Sequence, residues 1–274
     1  MTPNELFSLK GKIALVTGGA TGIGRMATTG LMQAGAHVLI ASRKADACKA
    51  VADELNQMDA PGSVEGFAGD VGTEEGVAAL TKAVQERTDT LHILMNNAGI
   101  SWGAPMGQFP FDAWAKVMNV NNAGMFSLTQ SLLPMLIASS NADDPARVVN
   151  VGSVMGDAPL GDGAYSYAAS KAAVHQITRI MAKELASHHV TVNALAPGPF
   201  VSRMTAFATA DEDTRAKVGD DVPLGRVGRE EDIAGCMQFL CGRGGSYITG
   251  AILPVSGGIQ VMSGPNLFRA ALEG

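Results

Sequence analysis

The sequence predicts a doubly wound α/β sheet of seven parallel strands with helices on both faces. Three observations predict it: short β-branched runs recur along the chain, longer helix-periodic segments separate them, and several of the short runs are apolar on both faces. A strand with two apolar faces belongs in a parallel sheet covered by helices on each side. In order, the strand candidates are Ile13–Thr17, His37–Ser42, Ser63–Gly69, Ile93–Asn96, Arg147–Val151, Thr191–Ala196 and Ala251–Val255. The first, second and fifth carry the clearest two-faced runs, IALV, HVLIA and RVVNV. The helices between them read Ile23–Gln33, Asp46–Met58, Thr73–Arg87, Phe111–Leu136 and Tyr165–His188. Strands and helices alternating at these lengths require right-handed crossovers. In such sheets the ligand lies beyond the carboxyl ends of the strands, so the residues just after each strand carry the functional signal.

The chain has 274 residues, 46% of them hydrophobic and 17% charged, with no linker-like tract and no solenoid repeat. A single domain over 1–274 is the expectation, because α/β folds of about 250 residues form one unit. A formal net charge of −6 argues against phosphate-backbone partners, so no nucleic acid is expected. The amino terminus MTPNELFSLKGK lacks a secretory apolar core, and the longest apolar stretch, 132–138, is far below the ~20 residues of a membrane span. Cys48, Cys236 and Cys241 are odd in number and poorly spaced for disulfides or zinc, which points to reduced thiols in the cytoplasm. His188 and His189 are adjacent, with no HExxH or acidic cluster, so no metal site is expected.

Directly after the first strand comes Thr17-Gly18-Gly19-Ala20-Thr21-Gly22-Ile23-Gly24, which opens a helix. Glycines there let the backbone turn tightly and approach a pyrophosphate, and the helix amino terminus offers N–H groups and partial positive charge to the anion. The sheet is therefore expected to be of the Rossmann dinucleotide-binding type, with Gly18, Thr21, Gly22, Ile23 and Gly24 as cofactor-binding residues.

The spacing of Gly18, Gly22 and Gly24 is G-x-x-x-G-x-G, and further pieces follow in order: Asp70-Val71, Asn96-Asn97-Ala98-Gly99, Asn121, Ser153, Tyr167-Ala-Ala-Ser-Lys171 and Pro197-Gly198. This ordered set resembles the short-chain dehydrogenase/reductase superfamily, in its compact single-domain branch, from Gly11 to about Gly258. The resemblance implies that Asp70 bonds the adenine edge with Val71 offering its backbone, and that Asn97-Ala98-Gly99 packs under the adenosine half. It further implies that Pro197-Gly198 cups the nicotinamide, with the Val201 backbone facing the carboxamide. Asp70 also reads as the cap of the helix that follows.

The cofactor choice rests on the end of the second strand, Ala41-Ser42-Arg43-Lys44. An NAD enzyme places a carboxylate there for the ribose hydroxyls. Ser42 stands instead, and Arg43 with Lys44 suits a 2′-phosphate, so NADP(H) is favoured over NAD(H). The other reading makes the two cations a solvated cap of the next helix.

Tyr167 and Lys171 stand four apart on a predicted helix and share a face. A neighbouring ammonium is expected to lower the phenol pKa towards the range where acid/base catalysis is effective. Y-x-x-x-K alone is common on solvated helices; Ser153 at the end of the fifth strand, converging on the same rim, gives the pair its meaning. Tyr165 lies about 200° away around the helix and opposes Ala169. The resemblance implies that Ser153 bonds the substrate carbonyl, Tyr167 protonates it and Lys171 tunes the phenol and holds the nicotinamide ribose. It also implies that Asn121 distorts its helix and holds a water feeding protons to Lys171.

In relatives the segment 202–228 is a substrate lid, whose closure excludes water. Trp102, Met155, Leu160, Phe200, Met204 and Phe207 suit an apolar pocket beside Ser153. Ser101-Trp102-Gly103 with Ser202-Arg203-Met204-Thr205 is similar to bacterial 3-oxoacyl-type ketoreductases, the rhamnolipid-associated kind included. NADPH-dependent reduction of an apolar carbonyl compound is thus the expected activity. The alternatives are oxidation of an alcohol, sterol or polyol by the same residues and, more remotely, a non-catalytic NADPH sensor. Two departures stand out: Val255-Ser256-Gly257-Gly258, where many relatives carry aspartate before the glycines, and a tail in which Leu267, Phe268 and Leu272 suit a partner subunit. A homotetramer or homodimer is expected by resemblance, with Ala168, Ala169, Ala172 and Ala173 permitting close helix packing.

Overall fold

Strands β1 (Ile13–Thr17), β2 (His37–Ser42), β3 (Ser63–Ala68), β4 (Ile93–Asn96), β5 (Ala146–Val151), β6 (Val190–Pro197) and β7 (Ile252–Val255) form one sheet in the order β3-β2-β1-β4-β5-β6-β7. Every pairing is parallel. The structure is a computed structural model describing residues 2–202 and 204–262. The strand bounds depart from the predicted ones by a residue or so at the ends. The helices are α1 (Pro3–Phe7), α2 (Gly22–Gln33), α3 (Ala45–Leu55), α4 (Glu74–Gln85), α5 (Asp112–Met118), α6 (Met125–Ala138), α7 (Tyr165–Leu185), α8 (Ala206–Thr209), α9 (Glu212–Asp220) and α10 (Glu230–Cys241).

Alternate residues of each strand feed two separate cores, which is why the strands read as apolar on both faces. Val16 and Ile40 pack with Ala27 and Leu31 of α2 and with Ile233 and Met237 of α10. Their neighbours Leu15 and Leu39 pack on the other face with Leu80 of α4, Leu128 and Leu132 of α6, and Met181 of α7. Each fully buried aliphatic side chain contributes about 1.5–3 kcal/mol, so both faces are firmly held. Arg147, the one charge in β5, is buried and donates to the carbonyls of Leu240 and Gly242, at 3.1 Å each, tying α10 to the lower edge of the sheet.

Three elements differ from expectation. The long helix predicted over 111–136 is interrupted: Asn119–Gly124 is a π-helical segment joining α5 to α6. The segment 204–228 holds two short helices, α8 and α9. Helix α10, which is not among the helices predicted, packs against α2. Among the described residues no helix is long and apolar enough to cross a membrane.

The order of strands places the topological switch between β1 and β4. The chain there turns outward in both directions, and a crevice opens beyond the strand ends.

Candidate active site

At that switch lies a cleft of about 740 Å³. Of the residues predicted to bind a cofactor, Gly18, Thr21, Gly22, Ile23, Ser42, Arg43, Lys44, Asp70, Val71, Asn97, Ala98, Gly99, Tyr167, Lys171, Pro197 and Gly198 line it. Gly24 and Val201 do not. Ser153 lines the cleft and Asn121 stands behind it. The sequence reading did not single out Ala20, Ala47 or Val120, which also line it.

Gly24 acts from beneath the turn. A Cβ there would lie 2.4 Å from both the Gly18 carbonyl oxygen and Asn97 Nδ2, so only glycine lets α2 start this close to β1. Asn97 Nδ2 donates to the carbonyls of Thr17 (2.8 Å) and Gly18 (3.2 Å), and Thr17 Oγ1 accepts from the amides of Asn97 and Ala98, at 3.0 Å each. Asn97 is thus the strut that joins the β1 and β4 turns. Thr21 precedes α2 in extended conformation and makes no side-chain cap, leaving the first N–H groups of the helix to an anion. The Gly24→Ala variant is expected to lose about 1–3 kcal/mol of stability by overpacking, with cofactor affinity falling too. Urea unfolding and dinucleotide titration check this.

At the far end of the cleft Arg43 and Lys44 are exposed, and neither forms an ion pair among the described residues. Ser42 Oγ accepts from the Lys44 amide at 3.2 Å and lies 3.1 Å from Cys48 Sγ, which fixes the loop that presents the two cations. The helix-cap role expected of Asp70 falls to Thr73, whose Oγ1 accepts from the Gly76 amide at 3.0 Å. Asp70 instead accepts from the amide of Gly72 at 2.9 Å, a turn two residues long that holds its carboxylate on the cleft wall.

The chemistry converges at the other end. Ser153 leaves β5 in extended conformation and caps a short 3-10 turn, Val154–Gly156, accepting from the Met155 amide at 3.2 Å. Tyr167, on the first turn of α7, faces the same end of the cleft as Ser153. One helical turn on, Lys171 Nζ donates to the Val151 carbonyl at 2.7 Å and stands 5.6 Å from the centre of the Tyr167 ring. Tyr165 points elsewhere and packs edge-on against Phe109 at 5.5 Å.

The electrostatic balance corrects the sequence expectation for the phenol. Burial pushes the Tyr167 pKa above its ordinary value of 10, and the influence of the Ser153 hydroxyl only partly offsets this. The same burial lowers Lys171 to about 8. At pH 7 the tyrosine is therefore neutral and able to donate a proton, while the lysine remains largely an ammonium.

Asn121 sits within the π-helical segment, which matches the helix distortion expected of it. Both hydrogens of its amide are taken, by the Ile100 carbonyl and Ser170 Oγ at 2.9 Å each, while Oδ1 accepts from the Ile100 amide at 2.9 Å. The side chain locks the strand end after β4 to α7. Asn122 makes a parallel bond to the Ser170 carbonyl at 2.9 Å.

Of the side chains predicted to form an apolar pocket, Met204 lines the cleft together with buried Phe200, whereas Trp102 and Leu160 are exposed and do not line it. The loops carrying Trp102 and Leu160 are joined by a bond from the Ala104 amide to the Gly163 carbonyl at 3.1 Å. Val201 lies between two lining residues, Phe200 and Ser202, and Thr205 ties that corner through its bond to the Phe200 carbonyl at 2.6 Å. Between α9 and α10, Arg226 grips Asp232 of α10 with two bonds, 2.7 and 3.0 Å. Ser256 bonds Gln260, and its main chain packs so close to Gly198 that a Cβ there would lie 2.9 Å away. Arg203, the side chain of Phe207, and Leu267, Phe268 and Leu272 lie outside the described residues.

A glycine-rich β1 turn, a helix amino terminus open to an anion and a Ser–Tyr–Lys constellation at the rim define a dinucleotide-dependent oxidoreductase. The chain belongs to the short-chain dehydrogenase family, whose model matches residues 12–213. It is 45% identical to the rhamnolipids biosynthesis 3-oxoacyl-[acyl-carrier-protein] reductase of Pseudomonas aeruginosa, over 93% of this chain and 98% of that one. Identity to the 3-oxoacyl-[acyl-carrier-protein] reductase FabG of the same organism is 35%, over 93% of this chain and 99% of the relative. Among solved structures, the RhlG/NADP active-site complex of Pseudomonas aeruginosa superposes with a TM-score of 0.89 at 44% identity, over 95% of this chain and all of that chain.

Proposed function

We propose that this chain is an NADPH-dependent reductase of 3-oxoacyl-type or similarly apolar ketones. The observation that carries the reading is the meeting of Ser153, Tyr167 and Lys171 at one end of a cleft whose other end presents Arg43 and Lys44. The residues fit a phosphorylated dinucleotide: α2 offers its amino terminus to the pyrophosphate, and the two cations are open to a 2′-phosphate. When bound, the cofactor supplies the hydride. Ser153 donates a hydrogen bond to the substrate carbonyl oxygen, and Tyr167 gives its proton to that oxygen as negative charge develops. Lys171, buried beside the phenol, offers positive charge to the tyrosinate left behind and to the nicotinamide ribose. Asn121 fixes the backbone on which these groups sit.

The apolar side chains of Phe200 and Met204 in the cleft lining favour an acyl chain over a polyhydroxylated substrate. The similarity to 3-oxoacyl reductases supports the same class. The decisive experiment follows NADPH consumption with 3-oxoacyl thioesters, cyclic ketones, quinones and keto-sugars as competing substrates. Turnover is expected with the first, and a keto-sugar preference would overturn the assignment. The cofactor reading is tested separately with Arg43→Asp. Charge-assisted bonds are worth about 1.5–3 kcal/mol, so kcat/KM for NADPH is expected to fall about 10- to 100-fold with little change for NADH. Unchanged NADPH kinetics would sink it.

The same reading makes the chain a cytoplasmic single-domain enzyme and a homo-oligomer. Phe126 on α6 and Ile180 on α7 are exposed large apolar side chains suited to a subunit contact. Light scattering of the purified protein would report its mass.

A further inference from the structure

His175 is buried on α7, one turn beyond Lys171, and the chemistry proposed above does not use it. Its ring occupies the space that two glycines leave on either side of Ser153. A Cβ at Gly152 would lie 2.2 Å from His175 Nε2, and one at Gly156 would lie 2.8 Å from its Cε1. Gly156 also presses on the helix itself, where a Cβ would lie 2.9 Å from the Lys171 carbonyl carbon. The ring is oriented from the other side by Asp157, whose Oδ1 lies 3.1 Å from Nδ1. A carboxylate accepts, so Nδ1 carries the proton and Nε2 is the bare nitrogen, buried without a hydrogen-bond partner.

We propose that His175, tied to Asp157, is a positioning residue for Ser153: its ring is the wedge on which the strand end and the turn flanking that serine are seated. The inference rests on the role given to Ser153 and Tyr167 above. The physical logic is one of shape. Residues 152 and 156 bracket Ser153, both are in van der Waals contact with one imidazole, and that imidazole projects from the helix that carries Tyr167 and Lys171. The Ser153–Tyr167 distance is thereby set through a single rigid ring. Displacements of about 1 Å at such a site can cost on the order of 100-fold in rate.

The neutral ring is the competent form. Burial lowers the His175 pKa, the Asp157 carboxylate opposes that shift, and the positive charges of Arg179 and Lys171 on α7 reinforce it. Protonation below the ordinary histidine range would put an N–H on Nε2 where no acceptor stands, disturbing the seat of Ser153. The rate is therefore expected to fall on the acid side.

The test compares His175→Leu and Asp157→Asn with Ser153→Ala, using steady-state kinetics with a 3-oxoacyl thioester, NADPH titration and pH profiles. His175→Leu is expected to lower kcat about 10- to 100-fold while NADPH affinity stays within about two-fold. Asp157→Asn is expected to lower kcat a few-fold and to move the acid limb of kcat to lower pH, because the carboxylate that holds the pKa up is gone. Wild-type kcat in His175→Leu, or a parallel loss of NADPH affinity, would overturn the inference. If His175→Leu does not fold, the acid limb of Asp157→Asn decides: a shift supports the proposal and an unmoved limb refutes it. Retained turnover in Ser153→Ala would instead bring down the reading of the active site, a result distinguishable from failure of the wedge alone.

Discussion

Tyr167→Phe is expected to reduce kcat by about three orders of magnitude while leaving NADPH affinity nearly unchanged. The phenol lines the cleft with Ser153 and is buried near Lys171, and burial keeps it protonated well above neutral pH. Removing the hydroxyl removes the proton donor, for which general acid catalysis supplies about 10²–10⁴-fold. The ring itself packs as before, so dinucleotide binding and folding should persist. Tyr165→Phe provides the control two residues away: its ring meets Phe109, and its hydroxyl lines no part of the cleft. That variant should retain wild-type turnover within a few-fold. Equal losses in the two variants, measured as single-turnover NADPH oxidation, would overturn the assignment of the donor.

The contrast between these tyrosines was legible in the sequence because helical geometry alone separates residues two apart. The strands were legible for a similar reason: burial on both faces forces unbroken β-branched runs such as Val148-Val149. Other features were hidden. The π-helical segment at Asn119–Gly124 arises from side-chain bonds of Asn121 and Asn122 to Ile100 and Ser170, partners distant in sequence, and no local periodicity encodes it. Helix α10 carried a usable signal, with Glu230, Glu231 and Asp232 in its first turn and Ile233, Met237 and Leu240 at helical spacing. The sign of the Tyr167 shift was also out of reach, since it depends on how deeply α7 buries the phenol and on where Lys171 directs its ammonium. Sequence spacing placed the two side chains together but said nothing of the dielectric around them.

That burial leads to the other large effect. Lys171→Met is expected to lower kcat at pH 7 by about 10²–10³-fold and, at the same pH, to make the protein more stable. A buried lysine lowered to about 8, against an ordinary 10.5, destabilises the folded state while both forms are protonated. The cost corresponds to about 3 kcal/mol, less the bond to the Val151 carbonyl that methionine cannot make. The sign follows from proton counting. Between pH 8 and 10.5 the unfolded chain binds more protons than the folded one, so wild-type stability rises with pH in that window while that of the methionine variant lacks this term. Activity moves the opposite way: wild-type turnover should decline as pH rises through 8 and the ammonium is lost, whereas the residual rate of the variant should show no such step. Urea unfolding and kcat measured across pH 7 to 10 on the same two proteins test both arms. A variant less stable than wild type at pH 7, or a wild-type rate unchanged through pH 9, would show that Lys171 does not hold a costly charge in place for the reaction.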